Sequence, residues 1–208
     1  MRDSMKDFMA VCVDNLSFPE PIYEFGALQT EGQEGFADLR PLFPGKQYIG
    51  TDFREGRGVN LVLDLHNINL PENSVGSAIV LDTLEHVEYP RKAMDQLHRV
   101  LCPNGLVIIS SVMRARIHSY PDDYWRFTPG AFESLLKAFP SSFVSYAGDP
   151  AFPHAVVGIG FAGPAPPLEK MTRDIEDWQK RWSMTNGKKK RPFLQKWARS
   201  LRKRFGKV

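Results

Sequence analysis

Short apolar runs alternate with helical stripes through the middle of this chain. Residues 22–26 (Ile22-Tyr23-Glu24-Phe25-Gly26), 47–52, 60–64, 77–81 and 106–112 read as five strands, and the fourth is almost continuously apolar, as strands covered on both faces are. Between the fourth and fifth, Ala93, Met94, Leu97, Val100 and Leu101 fall at i, i+1, i+4, i+7 and i+8. That spacing predicts a helix over 90–101, with Pro90 in its first turn and Arg91, Lys92, Gln96 and Arg99 facing water. A leading helix is predicted over 3–16 from Phe8, Val11, Cys12 and Leu16, and Pro19 and Pro21 end it. A later one over 129–139 has Thr128 as N-cap, Pro129 behind it and Phe132, Leu135 and Leu136 inward. Residues 143–147 and 155–161 are expected to pair antiparallel at the sheet edge. The fold class is therefore α/β: a Rossmann-like, doubly wound, mostly parallel sheet with an antiparallel edge hairpin.

Gly163-Pro164-Ala165-Pro166-Pro167 cannot continue a strand. It divides an α/β domain over 1–165 from a helical, basic C-terminal extension over 166–208. A chain of 208 residues with 42% hydrophobic and 25% charged positions can bury a full core. No window reaches the ~18 consecutive apolar residues of a membrane span, and the first residues carry acids rather than an export pattern, so a cytoplasmic location is expected. Cys12 and Cys102 are too few for a disulfide framework and lack metal-type spacing; both read as small buried hydrophobes.

The net charge of +3 hides an asymmetry, because residues 178–208 hold 12 Lys/Arg and no Asp/Glu while the rest of the chain is net acidic. After Lys188-Lys189-Lys190-Arg191, the residues Phe193, Leu194, Trp197, Leu201 and Phe205 fall near one helical face. A basic amphipathic helix over 188–206 suits an anionic membrane surface, which would place the protein peripherally at the inner face of the membrane. Nucleic-acid phosphate is the alternative, against which the acidic body argues, and a protein partner or a solvated tail remains open.

Acids stand at the tip of each early strand: Glu24 beside Gly26, then Asp52, Asp64 and Asp82. Open α/β sheets bind their ligands at the carboxyl ends of strands, and a ligand carrying adenosine needs carboxylates for its ribose hydroxyls. Beyond the fourth strand, Glu85 and His86 lie where a reacting group would sit. A His with a near-neutral pKa can take a hydroxyl proton; the other reading is a structural histidine bonded to a backbone carbonyl. The segment His118-Ser119-Tyr120-Pro121-Asp122-Asp123-Tyr124-Trp125-Arg126-Phe127 combines acids, aromatics and one arginine, suited to a polyhydroxylated acceptor or to a lid over the sheet. The candidate catalytic residues are Glu85, His86, His118 and Asp122; the candidate acceptor-binding residues are Tyr124, Trp125 and Arg126. His118 with Asp122 and Asp123 lacks a fourth ligand, and no metal is expected. No Gly-x-Gly-x-x-Gly turn follows the first strand, which argues against a nicotinamide dehydrogenase.

Leu84-Glu85-His86-Val87, with its helix and the Pro103-Asn104-Gly105 turn behind it, resembles the class I S-adenosylmethionine-dependent methyltransferases, in particular the methyltransferase type 11-like domains. The resemblance spans residues 21–139. It implies the class I methyltransferase fold and S-adenosyl-L-methionine as cofactor. It places Asp52 on the ribose, Asp64 and Leu65 on the adenine, and Glu24 and Gly26 near the methionine end; Asp82 is read as cofactor-binding from its place at the fourth strand's tip. The sequence departs from the family's clustered glycines: Phe25-Gly26-Ala27-Leu28-Gln29 is followed by glycines only at Gly32 and Gly35. Gly26-Ala27-Leu28-Gln29, Glu31-Gly32-Gln33, Asp38-Leu39-Arg40-Pro41 and the Asp122–Pro129 stretch resemble a bacterial set of small methyltransferase-domain proteins. The implied function is methyl transfer to a small-molecule or glycan hydroxyl, as in glycan biosynthesis near a membrane. The alternatives are a non-catalytic binding protein of this fold, or a nucleic-acid methyltransferase using the basic tail, although no Asn-Pro-Pro-Tyr motif for a flipped base is present.

Overall fold

The computed structural model describes residues 2–32, 35–118 and 121–183. The chain runs α1 (Asp3–Asn15), β1 (Ile22–Phe25), β2 (Tyr48–Asp52), β3 (Leu61–Val62), β4 (Val75–Val80), α2 (Pro90–Val100), β5 (Leu101–Val112), α3 (Pro129–Leu135), β6 (Ser141–Asp149), β7 (Phe152–Phe161) and α4 (Glu169–Trp182). The strands form one sheet in the order β3-β2-β1-β4-β5-β7-β6. β1 through β5 pair in parallel, and β7 lies antiparallel between β5 and β6. The predicted hairpin is present, but β7 is an interior strand and only β6 forms the edge.

Alternation along the central strands divides the core. Leu106 and Ile108 of β5 pack in one cluster with α1 and α4, whereas Val107 and Ile109 pack in the other with α2 and α3. β4 is buried along its whole length, consistent with its continuous apolar reading. The α2 stripe Ala93, Met94, Leu97 and Val100 is buried as its spacing requires, and Leu97→Ala would cost about 2–5 kcal/mol. Thr128 caps α3 by accepting a hydrogen bond from the Ala131 amide.

The face of α1 is Met5, Phe8, Met9 and Cys12, with Val11 only partly buried. It faces α4: the rings of Phe8 and Trp178 lie 5.4 Å apart, and Trp178 Nε1 donates to the Ser4 carbonyl at 2.8 Å. The packed body thus continues past residue 165, with Met171, Ile175, Trp178 and Trp182 buried beyond the proline-rich link. Cys12 is buried and its thiol pKa is pushed far up by desolvation. Cys102 departs from the expectation: it is half-buried, and its Sγ donates to the Asn73 carbonyl at 2.9 Å. No described helix is long and apolar enough to cross a membrane. Residues 188–206, read as the basic amphipathic helix, lie outside the described residues.

Candidate active site

The chain winds β1, β2, β3 outward on one side of β1 and returns to place β4 on the other, so the strand order reverses between β1 and β4. Beyond a reversal the connecting segments diverge and leave a crevice at the carboxyl tips. A cavity of about 1040 Å³ opens there.

Gly26 closes β1 with φ +87°, and a Cβ at that position would lie 2.2 Å from Thr83 Oγ1. Only glycine lets the tips of β1 and β4 approach this closely. The Gly26 and Ala27 amides both donate to the Thr51 carbonyl, at 2.8 and 2.9 Å. This turn is therefore tied to β2, which is how the chain departs physically from a glycine loop that offers its amides to a ligand. Glu24, just inside the turn, is buried and accepts a 2.7 Å hydrogen bond from the Tyr48 hydroxyl. Burial pushes its carboxyl pKa up to about 7, against the lowering influence of that hydrogen bond.

Asp52 at the tip of β2 is buried to 8% exposure and accepts from the Arg54 amide at 3.1 Å. Arg54 Nε, buried and making no hydrogen bond among the described residues, lies 3.6 Å from Asp52 Oδ1. Asp64, after β3, accepts from the His66 amide at 2.8 Å and contacts the His66 ring at 2.9 Å, with its carboxylate largely exposed. Leu65 is buried beside it. Asp82, after β4, adopts φ +47°. Its carboxylate is held by the Arg2 guanidinium at 2.7 and 3.3 Å and by the Ser110 hydroxyl at 3.1 Å. Although burial opposes it, the charge of Arg2 holds this carboxyl below the usual range.

Glu85 is 1% exposed and accepts a 2.7 Å hydrogen bond from Ser111. Burial, followed by the charge of Asp82, raises its carboxyl to about 7. His86 Nδ1 bonds the Asp122 carbonyl at 2.5 Å, and burial lowers its pKa. The rings of His86 and His118 meet edge to face, 4.9 Å apart. Tyr124 lines the cavity, its hydroxyl donating to Asp122 at 3.2 Å.

The fold thus gathers Glu24, Gly26, Asp52, Asp64, Leu65, Asp82, Glu85, His86, His118, Asp122 and Tyr124 around one cavity. Trp125 and Arg126 do not line it: Trp125 Nε1 donates to the Val87 carbonyl at 3.0 Å, and Arg126 forks onto Asp123 at 2.5 and 2.6 Å. Arg2 was missed from the sequence. Nothing local in residues 1–3 marks it, because its role depends on where α1 docks.

Residues 42–109 match the family model described as a methyltransferase domain. The chain has the class I methyltransferase fold and carries a methyltransferase domain match over about a third of its length. No curated protein matches it. The chain is similar to a SAM-dependent methyltransferase from Archaeoglobus fulgidus, with a TM-score of 0.60 and 13% identity over 77% of this chain and 94% of that one. It is likewise similar to a SAM-dependent methyltransferase from Thermotoga maritima, described as a possible histamine N-methyltransferase, with a TM-score of 0.57 and 18% identity over 76% and 89%. Those likenesses carry the fold; together with the methyltransferase-domain match they imply S-adenosylmethionine as the cofactor.

The cavity fits that cofactor. Its volume is at the upper end for a small-molecule site, with room for a nucleoside-linked amino acid and an acceptor together. The Arg54 Nε donor beside the Asp52 carboxylate presents a donor and an acceptor to one hydroxyl, which suits a ribose edge.

Proposed function

We propose that this methyltransferase methylates a hydroxyl of a small-molecule or glycan acceptor, and that the basic segment 188–206 holds it against an anionic membrane surface. The observation that carries the acceptor reading is the far wall of the cavity. There Tyr124, Asp122 and the two histidines stand together beyond the acidic strand tips, an aromatic and hydrogen-bonding surface suited to a hydroxylated ring.

Bound at the strand tips, S-adenosylmethionine supplies an electrophilic methyl group on a sulfonium sulfur. Asp52, with Arg54 Nε beside it, holds the ribose edge, and Asp64 with Leu65 flanks the adenine. Glu24 and Gly26 border the methionine end. The displacement is in line, so most of the acceleration comes from holding acceptor oxygen and methyl carbon in register. Asp122 and Tyr124 orient the acceptor hydroxyl. Its proton must leave as the new bond to carbon forms, and passes to solvent water at the stretch of cavity wall that Glu85 and His86 line.

The test combines binding and turnover. Calorimetric titration with S-adenosylmethionine should show micromolar affinity that falls at least tenfold in Asp52→Ala, with a thermal melt showing that the variant remains folded at the temperature of the titration. Methyl-labelled cofactor is then offered to sugars, lipid-linked glycans, phenols, amines and RNA. Label on hydroxyl oxygen supports the reading; label only on nitrogen, carbon or RNA overturns it.

A further inference from the structure

Glu85, His86 and His118 each offer one ligand atom, and these atoms all lie within 4.8 Å of one another. Among the described residues this is the one grouping of its kind. Sequence order set His118 beside Asp122 and Asp123, a combination that promised no metal. The fold keeps His118 bonded to Asp123 and also brings it to the Glu85-His86 turn after β4.

We propose that these three side chains bind a divalent first-row transition metal ion, of the zinc or manganese class. The centre of a triangle no wider than 4.8 Å on any side lies at most about 2.8 Å from its corners, against ~2.1 Å for a bound ion, so movements under an ångström close the site. Two imidazoles and one carboxylate suit these metals, whereas magnesium and calcium prefer oxygen ligands alone.

The support behind each ligand is already built, as metal sites require. A carbonyl oxygen only accepts, so the bond from His86 Nδ1 to the Asp122 carbonyl puts the proton on Nδ1 and the ring's lone pair on Nε2. His118 follows the same pattern: Nδ1 lies 3.1 Å from the Arg116 carbonyl and 3.3 Å from Asp123 Oδ2, both acceptors. Asp123 is itself fixed by Arg126 and accepts from the His118 amide at 2.7 Å. This gives Arg126 a role, that of positioning His118 rather than touching an acceptor. Ser111 anchors one oxygen of Glu85, and the Glu85 carbonyl accepts from the Tyr124 and Trp125 amides at 2.8 and 3.2 Å, so the two halves of the site are stitched together by backbone. Glu85 is a buried acid, unlike the exposed acidic clusters that stand empty on many surfaces. A cation there compensates its charge.

Three protein ligands leave at least one position open, and all three residues line the cavity. An oxygen of the acceptor, a hydroxyl or one of a vicinal pair, fits that position; coordination lowers its pKa, and its proton passes to solvent water. This role rests on the acceptor reading above, but the metal site does not.

The test titrates chelator-stripped, full-length protein with Zn²⁺, Mn²⁺ and Mg²⁺ by calorimetry, without cofactor. One Zn²⁺ or Mn²⁺ per chain is expected, with Mg²⁺ at least tenfold weaker. His118→Ala and Glu85→Gln should each weaken binding by about 10–100-fold, and Arg126→Lys by less. The His118 side chain is 39% exposed, so its variant should keep the melting temperature and report on the site even if the Glu85 variant misfolds. No uptake, equal Mg²⁺ binding, or uptake unchanged in both His86→Ala and His118→Ala overturns the site. Metal uptake without S-adenosylmethionine binding would sink the transfer reading alone.

Discussion

Replacing Glu24 with glutamine should remove a defined part of the pH dependence of folding. The Glu24 carboxyl titrates at about 7 in the native state because burial disfavours its charge, against 4.5 ordinarily. Between those values the native protein holds a proton that the unfolded chain has lost. Stability therefore falls as pH rises from about 4.5 to about 7 and is level above that. A shift of this size corresponds to roughly 3 kcal/mol. Glutamine cannot ionise and keeps an oxygen for the Tyr48 hydroxyl. Urea unfolding of both proteins at pH 5, 6, 7 and 8 supplies the difference curve, in which the contribution of Glu85 and other groups cancels. The wild type should lose about 2.5 kcal/mol relative to Glu24→Gln from pH 5 to pH 8, the rest of the change lying below pH 5. A flat difference curve would refute the assignment of this shift to Glu24. If the ammonium of the bound cofactor sits beside Glu24, it favours the ionised carboxylate, and calorimetry should show affinity rising with pH through the same range and losing that rise in Glu24→Gln.

Other perturbations read separate parts of the architecture. Arg2→Ala leaves the Asp82 carboxylate buried without its guanidinium and should cost about 3–5 kcal/mol in chemical unfolding; Asp82→Asn added to it should recover part of the loss, and a purely additive double variant would show that the pair does not interact. Gly26→Ala meets both a left-handed backbone and Thr83 Oγ1, so a loss of about 2–4 kcal/mol is expected. Thr83→Ala should restore only the steric share, and a neutral Gly26→Ala in a thermal melt would disprove the close approach. Trp178→Ala removes the ring between α1 and α4 and should cost about 3–5 kcal/mol; a melting temperature within a degree or two of wild type would mean that α4 does not belong to the core.

Much of this fold was legible because its pattern is local. The alternation of strands with an i, i+4, i+7 stripe dictated the parallel sheet and the buried face of α2, since those periodicities follow from backbone geometry alone. The acids at the strand tips were legible for the same reason: once a strand's end is known, the next residue lies at the carboxyl edge. The positions of Trp125 and Arg126 were not, because a loop side chain's direction depends on which partner reaches it, and here the Val87 carbonyl and Asp123 do.

What the sequence by itself determined is the order of elements and the row of carboxylates, both set by short-range periodicity. Only the tertiary structure decided that β7 enters the sheet between β5 and β6, that α1 and α4 close one face together, and that Arg2 reaches Asp82 across 80 positions. It also brought His118 to Glu85 and His86 while leaving it bonded to Asp123 nearby in sequence. Contacts between distant segments depend on the packing of whole layers, and no local pattern encodes a distance that two docked surfaces must close.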